Sequence, residues 1–477
     1  MEKRIALLNR ENTDQFVDRH DELAWLKKWG TQIPKSSSDS VALVGRRRTG
    51  KTSVLAKLYE YLFYEQTRVT PIFITFETFL HRDIPITNIE YIQTFLGGYI
   101  ASYMAFHQRE PSLLRLASDW TLLREEVEPN ADKRIQSIYQ RYDRSIPGDP
   151  HNGLDGFARS VCHIPRYLAQ DYELWTALII DEFQVLTSVY NPLLDRIHSV
   201  TSSFQKAAES LWAPMLVSGS AVSLLTGKAL AGGLSGRFGY HFIQPLPKQY
   251  TYDLVGYLAQ QEGVSRTEEF SEMVWEITGG YPYAVESLMT SQSLARTRYP
   301  ELDALKEVIQ FEVTNHNGQL WQHYSSEFDK YSHELNDGDT TRKVMYWTTK
   351  YPDTRIDTKR IAKEIGEDEK AVRASLEKLK WVDIVQKAGL SSYKGTTDPM
   401  LRRYIEYHHK VEVENVSSEE ALKEINSEYQ TLLGRVNNFV GHMAEGYMYA
   451  LLSGFDGRRV DGKTYFSHDS GWNPKVC

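Results

Sequence analysis

Three observations predict an α/β fold, a doubly wound parallel sheet followed by helical modules. Short apolar runs that read as strands alternate with helical stretches, and the first strand passes directly into a helix through a loop containing two glycines. Beyond Thr341 the composition shifts to a basic, mostly helical module.

The first strand is Ser40-Val41-Ala42-Leu43-Val44, followed by Gly45 and a helix from Lys51 to Tyr64 with Leu55, Leu58 and Leu62 at helical spacing. A second, Thr70 to Phe76, is apolar without interruption, as suits a parallel strand covered on both faces. A third, Thr176 to Ile180, runs into Asp181-Glu182, and a fourth, Ala213 to Ser220, ends in small polar residues. The second and third strands are much farther apart than a crossover helix requires, so a helical insertion is expected at about 80–170, broken by Pro147-Gly148-Asp149-Pro150. Helical periodicity resumes from Thr251 to about Tyr299, interrupted by Thr278-Gly279-Gly280-Tyr281-Pro282, which reads as a turn within a small lid.

From Thr341 to Lys410 there are 16 Lys/Arg and 10 Asp/Glu, a local excess of +6 in a chain whose net charge is −8. The order there is a helix at Lys343–Thr349, a second from an Asp357 cap to Ile365, a turn at Gly366, a third from Asp368 to Lys380, and two short strands around Gly389. That is the order of a winged helix-turn-helix. The tail adds an amphipathic helix with Phe439, Val440, Met443, Tyr447, Met448 and Leu451 on one face. The expected organisation is an α/β core at 1–245, a helical lid at 246–335, a winged helix at 336–412 and a C-terminal tail at 413–477.

Composition excludes several classes. With 477 residues, 41% of them hydrophobic, the chain has ample material for packed cores and is neither disordered nor collagenous. Its two cysteines, Cys162 and Cys477, provide neither a disulfide framework nor a cysteine zinc site. No apolar run approaches ~18 residues and the N-terminus lacks a signal-peptide pattern, so a cytoplasmic chain with no membrane span is expected.

The chemistry concentrates at Gly45-Arg46-Arg47-Arg48-Thr49-Gly50-Lys51-Thr52, which fits G-x-x-x-x-G-K-[ST], the Walker A pattern, between a buried strand and a helix start. Glycines let backbone N–H groups converge on phosphate, and the helix N-terminus adds positive potential. Lys51 suits the β- and γ-phosphates and the Thr52 hydroxyl suits Mg²⁺. Asp181 and Glu182, at the C-terminal end of the third strand, suit the Walker B roles: Asp181 toward Mg²⁺, Glu182 orienting and polarising the attacking water. Arg237 suits either a fixed guanidinium stabilising γ-phosphate charge or an ordinary surface salt bridge.

Further segments stand around these motifs in a definite order. Phe16-Val17-Asp18-Arg19-His20-Asp21-Glu22-Leu23 precedes the loop, Ser218-Gly219-Ser220 closes the fourth strand, Leu234-Ser235-Gly236-Arg237-Phe238 leads to Pro245-Leu246, and Gly279-Gly280-Tyr281-Pro282 marks the lid turn. Together they resemble the archaeal-type P-loop ATPases of the STAND branch of the AAA+-like NTPases, over about residues 10–300. The matched patterns are an F-V-G-R-x-x-E-L segment, with Asp18 at the usual glycine, an Arg-containing phosphate loop, a sensor strand, a G-R motif and a G-G-x-P turn. The resemblance implies adenine packing near Phe16 and Val17, with Arg19 beside them, and a nucleotide contact from Gly45, Arg48, Thr49, Gly50, Lys51, Thr52 and Ser53. It also implies a polar sensor at Ser218, a base contact at Pro282 and a following winged helix. ATP rather than GTP likewise comes from the resemblance, and no Asn-Lys-x-Asp guanine-reading motif is evident.

In the third helix of the basic module, Val372, Leu376 and Leu379 form an apolar stripe, while Lys370, Arg373 and Lys380 suit double-stranded DNA, within a span of Asp357–Lys394, or a protein-docking role. Some members of the resembled family carry a nuclease-like domain after the winged helix. Leu433-Gly434-Arg435 and Glu445 resemble its first helix, but Asp456, Asp461 and Lys463 lack its spacing, so no nuclease is expected and the tail reads as a remnant. Three readings follow: an Mg-ATP-dependent switch cycling between ATP and ADP, in regulation, DNA-related processing or defence; a DNA-binding regulator with structurally bound nucleotide; and an ATP-powered DNA-processing or defence component whose ATPase controls a separate effector protein. The partner expected beside nucleotide and DNA is that effector or a further copy of the chain in a homo-oligomer.

Overall fold

The computed structural model describes residues 17, 19–80, 82, 84–145, 153–192, 194–220, 222–333, 338–350, 356–381, 384–389 and 392–453. Its centre is a five-stranded sheet built from β1 (Val41–Val44), β2 (Val69–Thr75), β4 (Trp175–Asp181), β7 (Met215–Gly219) and β8 (Gly239–Phe242) in the order β2-β4-β7-β1-β8. Every pairing in it is parallel, with Val44 level with Gly219 and Thr75 level with Asp181. Each residue of β1 and β7 is buried, which requires cover on both faces and explains their unbroken apolar character. The edge strand β8 is an addition to the four expected strands. Its exposed Tyr240 and Phe242 and its short Gly-Tyr-His-Phe run carry no buried-strand signature.

On the sheet lie α1 (His20–Gln32) and α2 (Lys51–Tyr64). Between β2 and β4 comes the helical insertion: α3 (Asn88–Gln108), α4 (Trp120–Asn130), α5 (Lys133–Ser145), α6 (Gly153–Ser160) and α7 (Ile164–Asp171). Residues 146–152, which hold the expected break at Pro147–Pro150, lie outside the described residues. A capping box starts α3, with the Thr87 hydroxyl accepting from the Glu90 N–H and the Glu90 carboxylate accepting from the Thr87 N–H. Almost all of this helix is buried, which is why its pattern is apolar all round rather than one-sided. A second small sheet, unforeseen from the sequence, joins β3 (Ile86–Thr87), β5 (Val189–Asn191) and β6 (Arg196–His198) beside it. Short α8 (Gln205–Ala208) and α9 (Val222–Leu224) flank β7.

The remainder is helical: α10 (Lys248–Gln261), α11 (Glu268–Thr278), α12 (Pro282–Met289), α13 (Leu302–Thr314), α14 (Gln319–His333), α15 (Gly338–Thr349), α16 (Thr358–Ile365), α17 (Glu369–Trp381), α18 (Pro399–Glu412) and α19 (Ser418–Ser453). Between them β9 (Ile356–Asp357), β10 (Gln386–Lys387) and β11 (Ser392–Lys394) form an antiparallel sheet in the order β10-β11-β9. Two apolar cores result. One runs from Leu26 to Ile243 around the parallel sheet, and the other from Val255 to Val436 is continuous through α10–α19.

The tail helix differs from expectation in length. It is one helix of 36 residues, and Ala421, Tyr429, Leu432 and Val436 belong to the second core, so this part of the tail packs on α11 and α18. Glu445, compared above with a nuclease helix, is 80% exposed and pairs with His442. Residues 454–477, with Asp456, Asp461 and Lys463, lie outside the described residues, as do the side chains of Phe439, Val440, Met443, Tyr447 and Leu451. Among the described residues no helix is long and apolar enough to cross a membrane.

Candidate functional site

Parallel strands expose their C-terminal ends on one edge, and the order β4-β7-β1 sets three of the sequence motifs side by side on that edge. The loop after β1 enters α2 through Gly50, in left-handed conformation at φ 90°. Lys51 is buried, and its ammonium donates to the carbonyls of Gly45 at 2.7 Å and Arg46 at 2.6 Å, so the charge lies over the loop to which it belongs. Thr49, also buried, donates its hydroxyl to the Arg46 carbonyl at 2.9 Å, which tightens the turn. Ser53 is half-buried in the first turn of α2.

Thr52 joins the loop to the acid pair, its hydroxyl donating to Asp181 Oδ2 at 2.8 Å. The other carboxylate oxygen accepts from the Ser218 hydroxyl and from the Glu182 N–H at 3.1 Å. Asp181 is fully buried, and burial, then repulsion from Glu182, raises its carboxyl above the ordinary range, while the hydroxyls of Ser218 and Thr52 and the Lys51 charge oppose that rise. Thr52 and Asp181 thus place two hard oxygen donors together, the kind Mg²⁺ takes, with phosphate oxygens and water to complete its shell. No cluster of three His, Cys, Asp or Glu suited to a metal occurs among the described residues.

Glu182 sits at φ 57°, left-handed and strained for a residue with a side chain. Its Oε2 accepts from the Ser220 N–H at 3.1 Å, the Ser220 hydroxyl at 2.8 Å and the Gln184 carboxamide. The two serines at the end of β7 therefore hold the acids, Ser218 holding Asp181 and Ser220 holding Glu182. Gln184 belongs to no motif in the sequence; its one signal there is its place three residues beyond Asp181 in a half-apolar turn.

The turn into α12 and the stretch before α18 reach this loop. Gly280 at φ 74° accepts the Leu246 N–H at 2.7 Å, and a Cβ there would come within 2.1 Å of the Leu246 carbonyl, so only glycine allows the turn to dock beneath the sheet edge. Pro282 follows as the first residue of α12. Arg46 donates to Tyr281 at 3.3 Å and, across to the stretch before α18, to the hydroxyls of Thr396 at 3.1 Å and Thr397 at 3.5 Å. Arg48, at φ 59°, stacks its guanidinium 3.4 Å over the Tyr283 ring. Two loop arginines thus contact the turn into α12 and its first residues, partners that no local pattern around Gly45–Thr52 signals.

Arg19 is buried and donates to the backbone carbonyls of Thr49 at 3.1 Å and Gln244 at 2.6 Å, and pairs with Glu22 at 3.1 Å. It props the loop against the segment after β8. Val17 is half-buried, and Phe16 and Asp18 lie outside the described residues.

Of the two readings open for Arg237, the geometry matches the ordinary salt bridge. It precedes β8, whose Gly239 is level with Val41, so it lies at the end of the sheet opposite the phosphate loop. There it donates to Glu209 at 2.7 Å and to the Gly233 carbonyl at 2.6 Å, a partly exposed ion pair. Within one chain it does not take part in this site, because parallel pairing separates the two ends of β8. In the basic module Val372, Leu376 and Leu379 are buried as the apolar stripe requires, while Arg373 pairs with Glu369 and Lys380 with Glu377, which offsets their positive field.

No protein-family model matches the chain, and no curated protein matches it. Solved structures do. A Walker-type ATPase of Pyrococcus abyssi aligns with a TM-score of 0.50 at 17% identity, over 84% of this chain and 99% of that one. The Aeropyrum pernix ORC2 protein aligns with a TM-score of 0.46 at 11% identity, over 91% and 99%. The Thermotoga maritima RuvB Holliday junction branch migration motor aligns with a TM-score of 0.37 at 11% identity, over 82% and 96%. A parallel sheet that carries G-x-x-x-x-G-K-T at the end of β1 and an acid pair at the end of β4, superposable on a Walker-type ATPase over most of both chains, is a P-loop NTPase fold.

Proposed function

We propose that this chain binds ATP with Mg²⁺ at the β1–α2 loop, hydrolyses it slowly, and uses the difference between its ATP and ADP states as a conformational switch. The observation that carries this reading is the 2.8 Å contact between Thr52 Oγ1 and Asp181 Oδ2, which brings the two motifs of the sequence into one oxygen-lined site below Lys51. Mg²⁺ held there would neutralise phosphate charge. The Lys51 ammonium and the α2 N-terminus would hold the phosphates, and Glu182 would orient the attacking water and take its proton. The contacts of Arg46 and Arg48 with Tyr281, Tyr283, Thr396 and Thr397 support a switch, because whatever displaces the loop displaces the lid and the stretch before α18. Arg237, remote from its own loop, would contribute only to a neighbouring chain's site in a homo-oligomer.

We read 1–245 as the ATPase core, 246–335 as the lid, 336–412 as a winged helix and 413–477 as a tail. The order α15, α16, α17 with the β10-β11-β9 sheet supports the winged helix. The ion pairing of Arg373 and Lys380, together with the packing of α17 against α9 of the core, favours a docking role over DNA contact.

Phosphate release from Mg-ATP tests both points. Lys51→Ala and Glu182→Gln are each expected to lower turnover about 10²-fold or more, and double-stranded DNA is expected to leave the wild-type rate unchanged. Turnover that survives both substitutions would refute the ATPase reading. Stimulation by DNA would instead establish the winged helix as a DNA contact.

A further inference from the structure

The side chain that this mechanism leaves unused beside the acid pair is Gln184. We propose that Gln184, together with Ser220, is a positioning residue that fixes the Glu182 carboxylate for its encounter with water; the inference rests on Glu182 being the base. Three donors, the Ser220 N–H, the Ser220 hydroxyl and the Gln184 carboxamide, converge on Oε2 alone. No bond to Oε1 is found among the described residues, so the clamp occupies one oxygen and leaves the other for the substrate water. A carboxylate held in one rotamer needs no reorganisation at the moment of proton transfer, whereas a freely rotating one spends much of its time out of line.

Gln184 is itself locked in place. It is 2% exposed, and its carboxamide oxygen lies so near Gly219 that a Cβ there would come within 2.3 Å of it. That oxygen has no hydrogen-bond partner among the described residues. The amide orientation is therefore set by its other end, because the reversed amide would turn a carbonyl oxygen toward the Glu182 carboxylate. An uncompensated buried acceptor and a left-handed glutamate, two residues apart, are both unfavourable for folding alone. Such features collect where geometry serves chemistry. Gly219 belongs to the same device: on β7, opposite Val44 of the loop strand, it makes room for the arm that reaches from the acid strand.

The test uses the full chain and compares Gln184→Met, which keeps the shape of the arm but removes its donors, with Ser220→Ala and Gly219→Ala, which disturb the clamp from β7. Each is made in the wild-type and in the Glu182→Gln background. Steady-state ATP hydrolysis gives kcat and KM, and a fluorescent ATP analogue reports binding. Each substitution should lower kcat about 10-fold to 100-fold with analogue affinity within about twofold, and should lower it no further once Glu182 is Gln. An unchanged kcat would overturn the inference. So would an equal fall in the Glu182→Gln background, which would mark a structural prop acting independently of the base. No turnover by the wild-type chain would overturn the reading of Glu182 itself and this inference with it. Ser220→Ala, the mildest change, keeps the test decisive if Gln184→Met fails to fold.

Discussion

At the residue scale, Asp181 shows how a buried charge costs stability. Burial and the Glu182 charge raise its carboxyl, so the folded chain keeps this proton to higher pH than the unfolded chain does. The folded state then binds more protons, and this group's contribution to stability falls as pH rises from the ordinary carboxylate value through the raised one. Asp181→Asn removes the buried charge. In chelator at pH 7 the variant is expected to melt above the wild type, and to lose any rise in melting temperature that Mg²⁺ with ATP confers. A variant that melts below the wild type would mean that its hydrogen bonds outweigh the buried charge. Gly280 carries the opposite lesson. Gly280→Ala places a Cβ against the Leu246 carbonyl at φ 74° and is expected to destabilise by about 1–3 kcal/mol from backbone strain alone, read as a lower denaturation midpoint.

At the scale of elements, the basic module is stitched by one carboxylate. Glu377 on α17 accepts from Tyr393 of β11 at 2.7 Å and pairs with Lys387 of β10 at 3.0 Å and Lys380 at 3.2 Å. The Tyr393 hydroxyl first, then the two lysines, hold its carboxyl down at about 2. A depressed acid contributes stability that is present above its unfolded value and is lost as pH falls through the folded one. The protection of the β10 and β11 amides, taken as the ratio of intrinsic to observed exchange rate, is therefore expected to fall between about pH 4.5 and about pH 2 in the wild type, and Glu377→Gln is expected to show lower protection at neutral pH with that acid dependence removed. Equal exchange in the two proteins at neutral pH would show that this carboxylate does not hold the small sheet to the helix.

At the scale of the whole molecule, the phosphate loop and the C-terminal module meet through Arg46. Beside its hydroxyl partners, Asp398 is half-buried, with its carboxyl raised by lost solvation, and the Arg46 charge counteracts the rise. Arg46→Ala removes both the bonds to Thr396 and Thr397 and this compensation. The expected cost to the C-terminal module is on the order of 1–3 kcal/mol, with faster amide exchange at 396–401. A second expectation separates coupling from mere stability: exchange at 396–401 changes with ATP in the wild type and becomes insensitive to ATP in Arg46→Ala. Persistence of the ATP response in the variant would exclude Arg46 as the link.

Features set by local spacing are readable along the chain. Lys51 and Thr52 are legible because a buried strand, a loop of set length and a helix start are contiguous, and Asp181 and Glu182 because an apolar run ends in them. Helices α10, α11, α12, α16 and α17 are legible for the same reason, since periodicity and caps lie within a few residues of each other. Features that depend on partners distant in the chain emerge only once the chain has folded. The parallel register of β8 with β1 puts Arg237 at the far end of the sheet, and no feature of Gly236-Arg237-Phe238 encodes which strand that segment will join. Gln184 meets Ser220 and Gly219 only because β7 inserts beside β4. Arg46 finds Thr396 because α10–α19 condense on one core that no single helix pattern specifies. The physical reason is common to all three: dihedral preference and apolar period act over a few residues, while hydrogen-bond partners are chosen by which surfaces close against each other.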